Sequence, residues 1–321
     1  AGDDAPISHW DPDCFQICDR YYAMSGGTNP PLFTSTDLRS WTLVGDFLRH
    51  DMPDVAFGED ISCPNFFRLG DQWMLLCISH PLGCRYYLGD WDDQAEQFVP
   101  RRHGRMNWRR DDQPVYGLFQ RTDIFAPETV LTPDGRRVMW AWLTSVGRDG
   151  ALLHQTIQSL PRELSLPADG ILRLSPLREL AALRFDGITL RNIMLVHPIT
   201  AHNGIVPPRD TPFRQRVIEL DGDALELRIV IAREEALRKL FGVILFADEQ
   251  HAGLPILFRP ETGSVRVGAT EAPFASADLP ADEDLDVRIF IDSYLVEVFV
   301  NDRQALAAAY LEPRGSGLDA F

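Results

Sequence analysis

Short apolar runs recur along the first half of the chain, and each follows an aspartate that lies seven residues after a proline. The three copies of this frame are Pro12 to Asp19 before Tyr21-Tyr22-Ala23-Met24, Pro64 to Asp71 before Trp73-Met74-Leu75-Leu76, and Pro127 to Asp134 before Val138-Met139-Trp140. Each copy predicts two strands joined by a tight turn, which is a β-hairpin. Copies roughly 50 to 60 residues apart match the spacing of β-propeller blades. The first half of the chain is therefore predicted to be all-β and built of propeller blades.

A different pattern governs the last third of the chain, where apolar and polar residues alternate regularly. The stretches 225–231 and 285–291 each place four branched apolar side chains on one face of a strand. Because turn residues separate such strands, the pattern predicts a β-sandwich. Residues 233–240 are charged and are either a short helix or a charged extension of a strand. Glu297, in a later strand, is expected to lie on the surface.

Composition favours a division of the 321 residues into two domains. All seven tryptophans lie between Trp10 and Trp142, and all five cysteines precede residue 85. Prolines in the stretch 159–183 argue for an extended connector rather than a long helix. We therefore expect a partial propeller at 1–158, a connector at 159–183 and a sandwich at 184–321.

The charge and composition of the chain limit the classes of binding partner that we expect. A net charge of −16 makes nucleic acid an unexpected partner, because phosphate backbones are bound by clustered Lys and Arg. No apolar run is long enough to span a bilayer, so no membrane partner is expected. The histidines show no metal-ligand spacing, and neither a metal nor another cofactor is expected. Five cysteines without paired spacing indicate free thiols, which are typical of a cytoplasmic protein.

Acidic residues open each copy of the proline frame. The innermost strands of a propeller surround a central channel, so Asp11, Glu59 and Asp123 are expected at one mouth of it. Hydrolysis of an acetal needs a proton donor and a negative charge that stabilises an oxocarbenium-like transition state, and two carboxyl groups supply both. One of them would need a raised pKa to stay protonated near neutral pH. The same acids could instead form turns and caps, and the pattern alone leaves both interpretations open.

Six segments resemble, in order, the motifs of glycoside hydrolase family 32, which comprises invertases, levanases, inulinases and fructosyltransferases. They are Trp10-Asp11-Pro12, Ser62-Cys63-Pro64-Asn65, Tyr86-Tyr87-Leu88-Gly89-Asp90, Asp123-Ile124-Phe125-Ala126-Pro127, Leu160-Pro161-Arg162-Glu163-Leu164 and Glu297-Val298-Phe299-Val300-Asn301. The resemblance implies a five-bladed β-propeller joined to a C-terminal β-sandwich. It also implies a retaining β-fructofuranosidase that acts on a small sugar or oligosaccharide, namely sucrose or fructans.

The resemblance assigns roles to individual residues. Asp11 would stabilise the transition state by binding fructose hydroxyls. The family's general acid and base is a glutamate directly before the motif's cysteine, where this chain has Ser62. We therefore assign that role to Glu59, with Asp60 as the alternative, because a β-bulge can re-aim a side chain beside a site. Trp10 replaces an arginine of the family motif and offers a ring on which a sugar can stack. The expected substrate-binding residues are Trp10, Asp60, Cys63, Arg85, Trp108 and Asp123.

The resemblance has one large gap. The family's nucleophile is the aspartate of an Asn-Asp-Pro motif, and this chain contains no such sequence. We therefore expect about three of the five blades, and a fragment that does not hydrolyse sucrose or fructan alone. A noncatalytic carbohydrate-binding relative and a fructosyltransferase of the same family are the alternatives. An open arc of blades exposes strand edges, which are candidate surfaces for a homo-oligomer.

Overall fold

The computed structural model describes residues 10–49, 52, 59–80, 82–106, 108, 121–146, 157–195, 214–311 and 313–321. The chain divides into two compact units, the first containing most residues up to Leu177 and the second containing all residues from Arg178 onward together with two earlier segments. Strands dominate both units, which confirms the all-β prediction. Among the described residues, no helix has the length and apolar character needed to cross a membrane.

The first unit opens with two antiparallel four-stranded sheets, in which the strands follow one another in chain order. The first sheet contains β1 (Asp13–Ile17), β2 (Arg20–Met24), β3 (Pro31–Ser35) and β4 (Thr42–Asp46). The second contains β5 (Ser62–Leu69), β6 (Gln72–Ser79), β7 (Gly83–Asp92) and β8 (Gln97–Arg105). Sequential antiparallel strands of this kind are the blades that the repeat predicts.

The third sheet is also antiparallel, but its third strand is interrupted. Its members are β9 (Arg121–Leu131), β10 (Arg137–Val146), β11 (Ile157–Gln158), β12 (Arg162–Ser165) and β13 (Arg173–Pro176). β11 and β12 pair with successive parts of β10, with the register shifted by one residue between them, so together they form the third strand of the blade. Pro161 lies in the gap between them. Much of the stretch expected as a connector, 159–183, thus completes this sheet, because its prolines interrupt a strand without ending the pairing.

The hairpin turns predicted from the proline frame are present. The β1–β2 turn passes through Cys18 at φ 52°, the β5–β6 turn through Gly70 at φ 62°, and the β9–β10 turn through Gly135 at φ 84°. Aromatic side chains fill the space between the first two sheets, and the ring centroids of Phe15 and Phe66 lie 4.7 Å apart. The sheets are therefore joined by a core of large rings as well as by hydrogen bonds.

The second unit is a pair of antiparallel sheets. One has the order β14 (Gln215–Glu219), β23 (Gly317–Ala320), β16 (Phe241–Ala247), β17 (Leu254–Arg259), β18 (Ser264–Val267) and β19 (Thr270–Pro273). The other has the order β15 (Ala224–Ile231), β20 (Leu285–Asp292), β21 (Leu295–Val300) and β22 (Gln304–Ala309). A short α1 (Arg233–Ala236) and 3-10 helices at Arg178–Leu183 and Ser276–Asp278 complete the element order. This arrangement matches the predicted sandwich. Of the stretch 233–240, for which helix and strand were both open, residues 233–236 form a helix.

Two charged groups lie deep in the second unit. Glu297 on β21 is only 2% exposed, so its expected surface position was wrong: both faces of this strand are buried. Asp319 on β23 is fully buried and accepts hydrogen bonds from Nε of Arg216 and from Nδ1 of His251, the latter at 2.6 Å. Buried carboxylates need such partners, because an isolated charge is strongly disfavoured away from water.

Candidate functional site

The residue before each repeat proline has the same unusual backbone conformation. Asp11 and Cys63 have φ 45° and Ala126 has φ 42°, which is the left-handed region. Steric clash with a following proline normally drives a residue to extended conformations, so this geometry is strained. In the second sheet it coincides with a register shift between Ser62 and Asn65, which is a β-bulge. Three equivalent positions, just before β1, near the start of β5 and in the middle of β9, therefore share one strained backbone conformation, and such strain is concentrated at functional sites.

Side chains beside these prolines join the innermost strands to one another. Asp13 Oδ2 accepts a hydrogen bond from the Phe66 N–H of β5 at 2.7 Å. At the equivalent place one sheet further on, Asn65 Oδ1 accepts from the Thr129 N–H of β9 at 2.8 Å, and Asn65 Nδ2 donates to the Pro127 carbonyl at 3.0 Å. The starts of β1 and β5 and the second half of β9 are therefore held side by side.

Asp11 lies at this junction and is exposed. Its Oδ2 accepts a hydrogen bond from the Cys63 N–H at 3.1 Å and lies 3.7 Å from the Cys63 Sγ. Burial, with the nearby charge of Asp11, raises the pKa of the Cys63 thiol to about 11, so it stays protonated. Burial also raises the pKa of Glu128, where Asp11 adds to the effect and a hydrogen bond from Asn65 opposes it. The structure thus brings Asp11, Cys63 and Glu128 together.

Glu59 occupies a different environment. Its side chain is 6% exposed and forms an ion pair with Nη1 of Arg85, which is 2% exposed. The Arg85 guanidinium also contacts His103 Nδ1 through Nη2 at 2.9 Å, and lies 5.1 Å from the centre of the Tyr87 ring. A guanidinium only donates, so His103 accepts at Nδ1 and carries its proton on Nε2. Glu59 is therefore held as part of a buried polar group rather than left open to solvent.

Asp60 is the centre of a second polar group. It accepts hydrogen bonds from Ser62 Oγ at 2.7 Å, from the His80 N–H at 2.9 Å and from His80 Nδ1 at 2.6 Å. Burial opposes ionisation, but the hydrogen bonds from His80 and Ser62 outweigh it and lower the pKa of Asp60. The imidazole of His80 is 71% exposed. Sequence analysis did not pair Asp60 with His80, because the contact depends on β5 and β6 being adjacent, with Ser62 opposite Ile78.

Trp10, Asp123 and Trp108 are the remaining predicted site residues. Trp10 is 45% exposed, and its ring lies so close to Gly26 that a Cβ there would be 2.5 Å from the indole Nε1. Asp123 is 3% exposed near the start of β9, and Trp108 is half-buried. Most of the polar loop that contains Trp108 lies outside the described residues. The assignment of Trp10, Trp108 and Asp123 to substrate binding stays a prediction.

Models of known protein families match segments in both units of the chain. The glycosyl hydrolases family 32 N-terminal domain matches residues 8–176, and the family's C-terminal domain matches residues 201–317. The chain belongs to glycosyl hydrolases family 32. The two matches together cover most of the chain and confirm the resemblance of the six motifs.

Individual relatives of this family 32 chain are distant. A sucrose-6-phosphate hydrolase of Salmonella typhimurium is 27% identical, and the match covers 97% of this chain and 62% of the relative. A raffinose invertase of Escherichia coli is 28% identical over 88% of this chain and 56% of the relative. The chain therefore spans about three-fifths of the length of these curated relatives.

Solved structures support the same fold. The Bombyx mori β-fructofuranosidase BmSUC1 matches all of this chain with a TM-score of 0.65 at 19% identity, over 64% of its own length. The sucrose-6-phosphate hydrolase of Lactobacillus gasseri matches 98% of this chain with a TM-score of 0.66 at 18% identity, over 65% of its own length. These relatives combine a β-propeller with a β-sandwich, so the predicted fold class is confirmed.

Proposed function

We propose that this chain carries the sugar-binding part of a β-fructofuranosidase-type glycoside hydrolase. The observation that supports this most is the contact between Asp11 and Cys63, because it joins the two family motifs expected at the active site. The substrate would be a β-fructoside, either neutral, as the name raffinose invertase indicates for one relative, or phosphorylated, as sucrose-6-phosphate hydrolase indicates for others.

In this proposal Asp11 binds fructose hydroxyls and stabilises the positive charge that develops at the anomeric carbon. Its exposed carboxylate keeps acceptor capacity for a sugar, since the Cys63 contacts engage only Oδ2. The strained backbone at Asp11 holds the carboxylate in place before substrate arrives.

Two carboxyl groups are candidates for the proton donor. Glu59 is our first candidate, but its ion pair with Arg85 would have to open for it to reach a leaving oxygen. Asp60 is the alternative, and its side chain is 17% exposed against 6% for Glu59. General acid and base catalysis contributes roughly 10²- to 10⁴-fold to such reactions. We expect loss of that magnitude in kcat when the correct carboxyl group is replaced by its amide.

A second candidate function is carbohydrate binding without catalysis. It is favoured by Ser62, which stands where the family motif has its glutamate, and by the burial of Glu59 against Arg85. A protein that retained only Asp11 and the surrounding pocket would bind fructosides without cleaving them.

Two experiments separate these functions. Sucrose and a short fructan are titrated into the purified 321-residue chain, with Asp11→Asn expected to weaken binding and Asp19→Asn, in an exposed turn, serving as the control. Absence of binding to both sugars would contradict the proposal. The protein from the complete coding sequence is then assayed for fructose release with Glu59→Gln and Asp60→Asn. No turnover in the unmodified protein would favour the binding function, whereas fructose release by the 321-residue chain alone would refute the need for an Asn-Asp-Pro aspartate.

A further inference from the structure

Asp60 and His80 form a hydrogen-bonded pair where β5 begins and β6 ends. Asp60 lies two residues before β5, and His80 directly follows β6. The His80 backbone N–H donates to Asp60 Oδ1 at 2.9 Å, and the ring Nδ1 lies 2.6 Å from Asp60 Oδ2. Because one residue makes both contacts, the imidazole is held in a fixed orientation against the carboxylate.

This orientation leaves one ring nitrogen of His80 open for proton transfer. Burial opposes ionisation of Asp60, but the hydrogen bonds from His80 and Ser62 together lower its pKa, so the carboxylate is ionised near neutral pH. An ionised carboxylate only accepts, so Nδ1 carries a proton and Nε2 is the nitrogen that can gain or lose one. Within the described part of the chain no hydrogen bond or ion pair engages Nε2, and the imidazole is 71% exposed. An imidazole oriented by a carboxylate is a common general acid and base.

The Asp60 carboxylate lies beside Ser62, the position at which the family motif has its glutamate. Ser62 Oγ donates to Asp60 Oδ2 at 2.7 Å. That distance is close to the one between Cγ of a glutamate and its own carboxylate oxygens, so a glutamate at position 62 could place its carboxylate where Asp60 has its own. The side chain of Asp60 is 17% exposed and the imidazole of His80 is 71% exposed, so the pair extends from this position to the solvent.

The same part of β5 contacts Asp11. Cys63 follows Ser62 directly, and its N–H donates to Asp11 Oδ2 at 3.1 Å. Burial is the main cause of the raised pKa of the Cys63 thiol, and the charges of Asp11 and Asp60 both add to it. Consecutive residues lie about 3.8 Å apart. A sugar bound at the exposed carboxylate of Asp11 therefore lies within reach of the exposed ring of His80.

Glu59, the other carboxyl candidate, lacks this access. Its side chain is 6% exposed and is ion-paired with Arg85, which is 2% exposed. Proton transfer from Glu59 would require this pair to open and would leave the Arg85 guanidinium buried without its carboxylate, which is strongly unfavourable. Proton transfer from His80 needs no such rearrangement, because Nε2 already faces away from the Nδ1 contact with Asp60.

We infer that His80 is the catalytic residue that gives and takes the proton during cleavage of a β-fructoside, and that Asp60 is the positioning residue that orients its ring. This inference rests on the proposed function and deepens it, because it names the group that transfers the proton at the same site.

The proton and the electron pairs can be followed through both steps of a retaining reaction. In the first step the proton leaves Nε2 of His80 for the bridging oxygen while the bond between that oxygen and the anomeric carbon breaks. The bonding electron pair stays on the oxygen, which departs as a hydroxyl of the leaving sugar, and an attacking carboxylate of the kind used by the family bonds to the anomeric carbon. In the second step Nε2 takes a proton from water as the water oxygen displaces that carboxylate.

The test measures fructose release by the protein from the complete coding sequence, with sucrose and with para-nitrophenyl β-fructofuranoside as substrates. Nitrophenolate leaves readily without a proton, whereas the sugar hydroxyl of sucrose needs one. In His80→Ala we expect kcat/KM for sucrose to fall roughly 10²- to 10⁴-fold, and kcat/KM for the nitrophenyl substrate to fall less than about 10-fold. Added imidazole should restore part of the sucrose hydrolysis in His80→Ala, because the position is exposed. Asp60→Asn should lower kcat for sucrose without changing KM, and imidazole should not restore it, because the ring is still present.

A second histidine of the chain provides the matched control. His251 also places Nδ1 2.6 Å from a carboxylate, that of Asp319, but it lies in the second unit. His251→Ala should therefore leave hydrolysis of both substrates unchanged. Thermal unfolding of each variant verifies that it is folded.

The outcomes distinguish this inference from the proposed function. Undiminished sucrose hydrolysis by His80→Ala overturns the role of His80 and leaves the proposed function standing. An equal loss for both substrates without rescue by imidazole also overturns it, because that result indicates a structural role for the ring. Absence of fructose release from both substrates by the unmodified protein defeats the inference and the hydrolase function together.

Discussion

Asp13 offers a direct test of how strongly the junction between the first two sheets is buried. Burial raises the pKa of Asp13 from 3.8 to about 6, although hydrogen bonds from the Phe66 and Cys14 N–H groups oppose the shift. The folded protein therefore holds a proton that the unfolded chain has already released between these two values. Its contribution to stability is complete below pH 3.8 and is lost as the pH rises through about 6.

The size of this effect follows from the pKa difference. Each pKa unit corresponds to about 1.36 kcal/mol, so the difference between 3.8 and about 6 sets an upper limit of about 3 kcal/mol. Asp13 is only half-buried, and solvent screening reduces the expected value to about 1–3 kcal/mol. Asp13→Asn mimics the protonated carboxyl and cannot ionise. The variant should therefore gain stability relative to the wild type as the pH rises from 4 to 7.

Urea unfolding of both proteins at several pH values measures this difference. Loss of one acceptor oxygen in Asp13→Asn lowers stability by a similar amount at every pH, so only the change with pH tests the argument. Asp19→Asn, in the exposed turn at the far end of the same strand, controls for removal of a charge. A difference that stays constant within about 0.5 kcal/mol from pH 4 to 7 would refute the assigned role of Asp13, since extrapolation errors are of that order.

Three further results are expected. Asn65→Ala should lower the free energy of unfolding, measured in urea, by about 2–4 kcal/mol, because it removes the hydrogen bonds that join β5 to β9 and leaves buried groups unpaired. A decrease below about 1 kcal/mol would contradict that role. Asp319→Asn should lower the free energy of unfolding of the second unit by about 1–3 kcal/mol, since it weakens buried hydrogen bonds from Arg216 and His251 while Arg216 keeps its ion pair with Glu219, and unchanged melting by circular dichroism would speak against it. Thiol titration should modify Cys77 and Cys84 only after unfolding, because burial raises the pKa of both and the pKa of Cys84 reaches about 12; rapid reaction in the native protein would disagree.

Local sequence patterns predicted the hairpins because their causes are local. The Gly70-Asp71 and Pro133-Asp134-Gly135 turns follow from the backbone preferences of the residues themselves. The strained conformation of Asp11, Cys63 and Ala126 could not be predicted in this way, because a following proline disfavours it. Hydrogen bonds between strands far apart in sequence maintain it.

The site shows the same limit. The frame predicted that Asp11, Glu59 and Asp123 lie at one mouth of a propeller, and the contact that the structure shows for Asp11 is the one with Cys63 near the start of β5. The ion pair joins Glu59, which lies just before β5, to Arg85 on β7, and nothing in the local pattern indicates it. The burial of Glu297 likewise depends on what covers the outer face of β21, which alternation along a single strand does not reveal.

The uneven distribution of tryptophan gives the molecule a built-in optical reporter. All seven indoles belong to the first unit, and two of them, Trp73 and Trp91, pack against the aromatic core between its first two sheets. Tryptophan fluorescence, excited at wavelengths that tyrosine does not absorb, therefore reports unfolding of the blades and not of the sandwich. Comparison of that signal with a backbone signal from both units would reveal at once whether the two halves melt as one cooperative body or in separate steps.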